Sequence, residues 1–264
     1  LDGQGRVDDA LSAYLRAHEL APGERSAASS AAYLLAIRGR YYDALKLEVT
    51  VLGGRDQSRY ADLQIAESLD LLGYPEVASR WHEKALMLNP GDPMVTGGAI
   101  MSALRRGDIG RAEQLYGTLQ SDAISTPKVG KLHGYILLAR GDLTAAAQGY
   151  MHTAILELQG GGTAAGTLPQ ADDVTWPGQY FDEACVFAAR GETEKALNSL
   201  GQAIDLGWRD AGQMAFMPCL DHVRATTAYE ALLKRISKDI AFQRELVESD
   251  KGLRHTLGFD SAGG

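Results

Sequence analysis

The sequence predicts an all-α chain assembled from repeated helix pairs, on three observations. Gly5, Gly39, Gly73, Gly107 and Gly141 follow one another at intervals of 34 residues. Ala10, Ala44, Ala78, Ala112 and Ala146 keep the same interval, five residues after each glycine. Apolar residues flank each glycine at helical spacing on both sides. A sixth pair, Gly191 and Ala196, follows after 50 residues, which is one period plus 16 inserted residues.

Composition agrees with a packed chain. Of 264 residues, 45% are hydrophobic and 23% charged, enough to build a core. The formal net charge of −8 gives no support to a general nucleic-acid surface. No stretch of about 20 residues is both uncharged and apolar throughout, so no helix is expected to insert in a membrane. Two cysteines, Cys185 and Cys219, do not make a disulfide framework. The chain opens Leu1-Asp2-Gly3-Gln4, with neither a methionine nor a signal-peptide pattern. A cytoplasmic location and a longer parent protein are expected from this.

Each repeat reads as helix, glycine turn, helix. Ala32, Ala66, Ile100, Gly134 and Ala184 stand seven residues before their glycines, and Leu35, Leu69, Ala103, Leu137 and Phe187 four before. These form the buried stripe of a first helix. Tyr14, Glu48, His82, Tyr116, Tyr150 and Leu200 stand nine after, and Ala17, Val51, Ala85, Leu119, Thr153 and Ala203 twelve after. These form the stripe of a second helix. The glycine between them can take a positive φ and end the first helix. The small residue at the Ala10-type position lets the two helices approach closely. Pro22 and Pro90 fall where second helices should stop. The first repeat contains only its second helix, over about 6–20.

This helix–turn–helix unit resembles the tetratricopeptide repeat. Its best copy is 59–92, with Ala66, Leu69, Gly73, Pro75, Ala78, Trp81, Ala85, Leu88 and Pro90 in the expected places. Glu48 and His82 depart from it, standing where an aromatic is usual. The resemblance implies a right-handed α-α superhelix over 1–207, with first helices on the concave side. It also implies that neighbouring repeats stack into a continuous core.

Beyond Gly207 the chain reads Trp208-Arg209-Asp210, then Leu220-Asp221-His222-Val223-Arg224, then Tyr229-Glu230-Ala231-Leu232-Leu233. This is similar to a closing segment that follows the last repeat in bacterial signalling chains, namely winged-helix regulators, kinases and cyclases. It departs at Met217, Cys219 and Thr226, where acids are usual. Capping helices are expected over 208–256, including a charged helix at about 238–256 that gives the array a polar end. A flexible tail is expected over 257–264.

The insertion, about 159–176, contains three consecutive glycines, then Thr163, Gly166, Pro169, Asp172, Asp173 and Trp176. No Gly-Lys-Ser/Thr follows the glycines, so it reads as an inter-helix loop rather than a phosphate cradle. Pro177 suits the first turn of the next helix. No catalytic, cofactor or metal constellation is found. His82-Glu83 lacks the second histidine of a zinc-protease helix, and no other histidines pair at ligand spacing. Cys185 and Cys219 are 34 residues apart. In a regular stack that places them about 10 Å apart, beyond the roughly 7 Å that a disulfide tolerates.

Function is therefore expected on the concave face. Counting back from each glycine, its candidate residues are Tyr33, Tyr60, Leu63, Glu67, Asp70, Met94, Met101, Lys128, Lys131, Tyr135 and Phe181. Exposed aromatics and methionines in such positions mark partner surfaces. Glu67 and Asp70 make one end acidic, and Lys128 and Lys131 make the other basic. The reading is a non-enzymatic module that binds a peptide or a helix of a partner protein in its groove. The alternative is a regulatory C-terminal part of a larger bacterial signalling protein.

Overall fold

The computed structural model of the chain describes residues 7–22, 25–52, 60–119, 127–142 and 177–261. Among the described residues the regular structure is entirely helical, and consecutive helices pack in pairs, as in an α-helical solenoid. The helices are α1 (Val7–Leu20), α2 (Arg25–Ile37), α3 (Tyr41–Val51), α4 (Ala61–Leu71) and α5 (Pro75–Leu88). They continue with α6 (Pro93–Arg105), α7 (Ile109–Tyr116), α8 (Pro127–Ala139), α9 (Pro177–Ala189) and α10 (Thr193–Asp205). Four more close the chain: α11 (Ala211–Phe216), α12 (Asp221–Arg224), α13 (Thr227–Ser249) and α14 (Lys251–Leu257). The insertion at 159–176, and Ala146, Tyr150 and Thr153 of the repeat before it, lie outside the described residues.

The turns obey the spacing. Gly39, Gly73, Gly107, Gly141 and Gly191 all have φ between 70° and 81°. The amide after each glycine reaches back to the fifth carbonyl before it: Arg40 to Leu35, Tyr74 to Leu69, Asp108 to Ala103, Asp142 to Leu137 and Glu192 to Phe187, at 2.9–3.0 Å. These bonds satisfy carbonyls that the helix end leaves open. The alanines that follow are the contact points of each pair. Ala10, Ala44, Ala78, Ala112 and Ala196 are at most 2% exposed. Prolines open α5, α6 and α9, where no backbone N–H is needed. Asp92 caps α6 by accepting from the amides of Met94 and Val95 at 2.9 and 3.2 Å.

The chain divides into two compact units, Leu1–Asn89 with Ser237–Gly264, and Pro90–Ile236. The core of the first contains Tyr41, Leu45, Ile65, Leu69, Leu72 and Tyr74 from α3, α4 and the turn after it, with Val247, Leu253 and Leu257 from the C-terminal helices. The core of the second contains Ile100, Phe181, Leu200, Met214, Met217 and Leu220.

The C-terminal segment departs from expectation in two ways. The charged helix expected at about 238–256 is broken at Asp250, whose carboxylate accepts from the Leu253 amide at 3.0 Å and starts α14. Its apolar residues are not the rim of a polar end, since they pack into the first unit. Gln243 joins them, donating to the Gly39 carbonyl at 2.7 Å and accepting from the Tyr42 amide at 3.1 Å. The tail expected to be flexible from 257 begins packed. Leu257 is 2% exposed, and Phe259 meets the Tyr74 ring edge-on with centroids 4.9 Å apart. Trp81 Nε1 donates to the Leu257 carbonyl at 3.0 Å. The apolar residues here are too thinly spread among charges to read as a core stripe in sequence.

Two substitutions test this packing. Leu253→Ala should cost roughly 2–4 kcal/mol in chemical denaturation and red-shift the Trp81 fluorescence as α14 loosens. Ala78→Leu should cost about 1–3 kcal/mol by forcing α4 and α5 apart. Wild-type stability in either variant would mean that these contacts do not form in solution.

Candidate functional site

In the first unit, the face expected to bind carries one exposed aromatic. Tyr33 on α2 is 41% exposed, whereas Ala28, Ala31, Ala32, Leu34 and Leu35 of the same helix are buried. Tyr60 and Glu67 are half-buried. Glu67 occupies the register of Tyr33 on the next first helix, α4, and the two helices touch. Leu63 is 3% exposed, so it belongs to the core rather than to a surface.

Asp70 also leaves the surface. Its Oδ2 lies 2.8 Å from Nε2 of His82, and the two side chains are 4% and 5% exposed. This explains the histidine at an aromatic position, because it brings a partner for a carboxylate under the helix pair. Glu48, at the equivalent position of α3, is 1% exposed and accepts from the Ser29 hydroxyl at 3.1 Å. Burial pushes its pKa up to about 8, the Ser29 hydrogen bond opposes this, and the nearby Asp62 adds to it. Asp62 in turn accepts from Lys84 at 2.7 Å. Among the described residues, Glu48 Oε2 and His82 Nδ1 have no hydrogen-bond partner.

In the second unit a returning segment covers the expected face. After Gly207 the chain turns back across the first helices. Trp208 stacks on Phe181 with centroids 4.4 Å apart and planes 13° apart. Phe216 meets Tyr135 edge-on at 6.2 Å. Asp210 takes a two-pronged pair from Arg105, at 2.9 and 2.6 Å, and its other oxygen caps α11 through the Gln213 amide at 2.8 Å. Arg224 donates to the carbonyls of Met214 and Met217 at 2.8 and 2.7 Å, pinning the middle of the segment.

Phe181 and Tyr135 are therefore 1% and 7% exposed, and neither is a surface residue as expected from sequence. Lys131 is not an open cation either. It donates to Asp182 at 2.6 Å, with the two side chains 13% and 11% exposed. Lys128 lies on α8, but its side chain is outside the described residues. Met94 keeps 41% exposure and Met101 is half-buried. Among the candidates with described side chains, Tyr33 and Met94 are exposed and Tyr60, Glu67 and Met101 are half-buried, while the side chains of Asp70 and Lys131 are held in largely buried pairs.

The two cysteines are the largest departure. Cys185 on α9 and Cys219 in the turn Pro218–Leu220 bring their Sγ atoms within 2.7 Å, not about 10 Å. The returning segment breaks the register on which the longer distance depends. Among the described residues, no three His, Cys, Asp or Glu side chains gather in a metal-binding arrangement, and no helix is long and apolar enough to cross a membrane. The chain matches no protein-family model and no curated protein.

Glu48 makes a pH prediction. The unfolded chain loses this proton near the ordinary value of 4.5, and the folded chain keeps it to about 8. Between these values the folded state binds the extra proton, so this group's contribution to stability falls as pH rises. Glu48→Gln should remove that slope. Its melting temperature should exceed that of wild type at pH 8, by the equivalent of a few kcal/mol, with the gap closing towards pH 5. Parallel melting curves for the two proteins across pH 5–8 would refute the assignment.

Proposed function

We propose that the chain is a tetratricopeptide-type interaction module that holds a peptide or a partner helix on the first-helix face of its leading repeats, without chemistry of its own. The observation that carries this is the register six residues before each turn glycine. Tyr33 and Glu67 occupy it in the first unit and keep solvent contact, while Tyr135 and Cys185 occupy it in the second and are covered. An exposed tyrosine on α2 and an acid at the same register of the adjoining α4 suit a ligand with an apolar side chain next to a Lys or Arg. A basic end to the binding face drops out of the proposal, because Lys131 is paired with Asp182.

A second reading is that the array regulates an effector domain in a longer bacterial signalling protein. It draws on the closing segment, whose Trp208, Asp210 and Phe216 are all engaged in packing or pairing as a fixed cap requires.

Selection of a phage-displayed peptide library on the full chain tests the first reading. An enriched motif with an apolar residue beside Lys or Arg is expected. Tyr33→Ala and Glu67→Ala should each weaken that peptide about tenfold, equivalent to roughly 1–2 kcal/mol, while melting within a few degrees of wild type. Tyr135→Ala should behave in the opposite way, losing about 2–4 kcal/mol of stability because it opens a cavity against Phe216. Failure to enrich any motif, or unchanged binding by both surface variants, would sink the proposal.

A further inference from the structure

Cys185 is fully buried on α9, while Cys219 in the turn Pro218–Leu220 is partly exposed, and no disulfide joins them. Their sulfurs are 2.7 Å apart, inside the van der Waals separation of two sulfur atoms. A disulfide bond is about 2.04 Å long, so closing it needs less than about 1 Å of movement. The two elements that carry them pack directly on one another. The turn carrying Cys219 also sits beside a cation. Arg224 donates to the Met217 carbonyl, two residues before Cys219, at 2.7 Å. Tyr229 lies close enough to feel Arg224 and both thiols, and burial raises its own pKa.

We propose that Cys185 and Cys219 are a reversible redox modification site that forms a disulfide on reaction with a hydroperoxide and fastens the returning segment to α9. Cys219, the accessible thiol, reacts first. Its thiolate attacks one peroxide oxygen, the O–O bond breaks, and the departing hydroxide takes up a proton to leave as water. Cys219 is now a sulfenic acid, oxidised by two electrons. The Cys185 sulfur attacks the Cys219 sulfur, the S–O bond breaks, and the oxygen leaves as a second water carrying the Cys185 proton. Two thiols and one hydrogen peroxide thus yield one disulfide and two waters. A dithiol reductant reverses the change. The new bond closes a loop of 34 residues that contains Trp208 and Phe216, so the cover over Phe181 and Tyr135 becomes covalent. The site is independent of the binding reading, since it rests on thiol geometry alone.

The test treats the reduced full chain with stoichiometric hydrogen peroxide. Intact mass should fall by about 2 Da, and both thiols should disappear from a thiol titration. Non-reducing peptide mapping should recover the Cys185–Cys219 pair from monomeric protein. The melting temperature should rise by roughly 5–10 °C, and dithiothreitol should reverse it. Cys185→Ser places a hydroxyl in a sealed position and risks misfolding, so Cys219→Ser and Cys219→Ala serve as controls. Both should keep the Cys185 thiol reduced and show no rise in melting temperature. Mass gain at Cys219 with the Cys185 thiol intact, or cross-linking between two chains, would overturn the proposal.

Discussion

The helix pairs α2–α3, α4–α5, α6–α7 and α9–α10 each depend on one backbone event, a glycine that passes through left-handed φ and returns the chain on itself. At Gly39, Gly73, Gly107, Gly141 and Gly191 the conformation is the same, as is the hydrogen bond from the following amide. A side chain there would strain the backbone, and at Gly73 a Cβ would also meet the Arg244 guanidinium at 3.0 Å. The turn sets the crossing of the two helices, and the alanine five residues on sets how close they come. With Ala78 at 0% exposure there is no room for a larger residue. The same turn offers a carbonyl to the rest of the molecule. Gln243 takes up that of Gly39, so a residue near the far end of the chain reads the geometry of the first complete repeat.

A stack of helix pairs leaves apolar faces that the repeats do not cover. In both units, segments from beyond the last repeat supply the cover. In the first unit Val247, Leu253, Leu257 and Phe259 lie against the core around Tyr74. In the second, Trp208 and Phe216 lie on Phe181 and Tyr135, and the pairing of Arg105 with Asp210 fixes the angle of approach. This cover decides which register positions remain open to solvent. Tyr33 and Phe181 both lie in first helices at positions read as the binding face, yet one is 41% exposed and the other 1%.

The two polar residues at aromatic positions, Glu48 and His82, have a related effect. His82 draws Asp70 inward, and Glu48 is held by Ser29 beside Asp62. Asp70, which the sequence places at the acidic end of the face, is thereby committed to a buried partner, and the buried Asp62 pairs with Lys84. Glu67 is left as the acid with solvent contact among the candidates. The cost is a buried carboxyl that keeps its proton to about pH 8, which ties the stability of the first unit to pH.

The sequence by itself determined the helical class, the turn glycines and the buried alanines that follow them among the described residues. These rest on local rules: a period of 34 residues, the conformational freedom of glycine and the 3.6-residue spacing of apolar positions. The exposure of the candidate face was legible only in part. Tyr33 and Glu67 sit where counting back from the glycine places them, because α2 and α4 meet solvent there. Tyr135, Phe181, Asp70 and Lys131 do not, and the reasons are long-range: Phe216, Trp208, His82 and Asp182 come from other elements to meet them. The cysteines make the same point from the other side. Their interval of 34 residues implies a repeat-to-repeat distance, yet they touch, because the chain after Gly207 turns back and no longer follows the period. Local spacing dictates which residues share a helix face. Only the tertiary structure decides what covers that face, since the covering segment obeys no period that the sequence repeats.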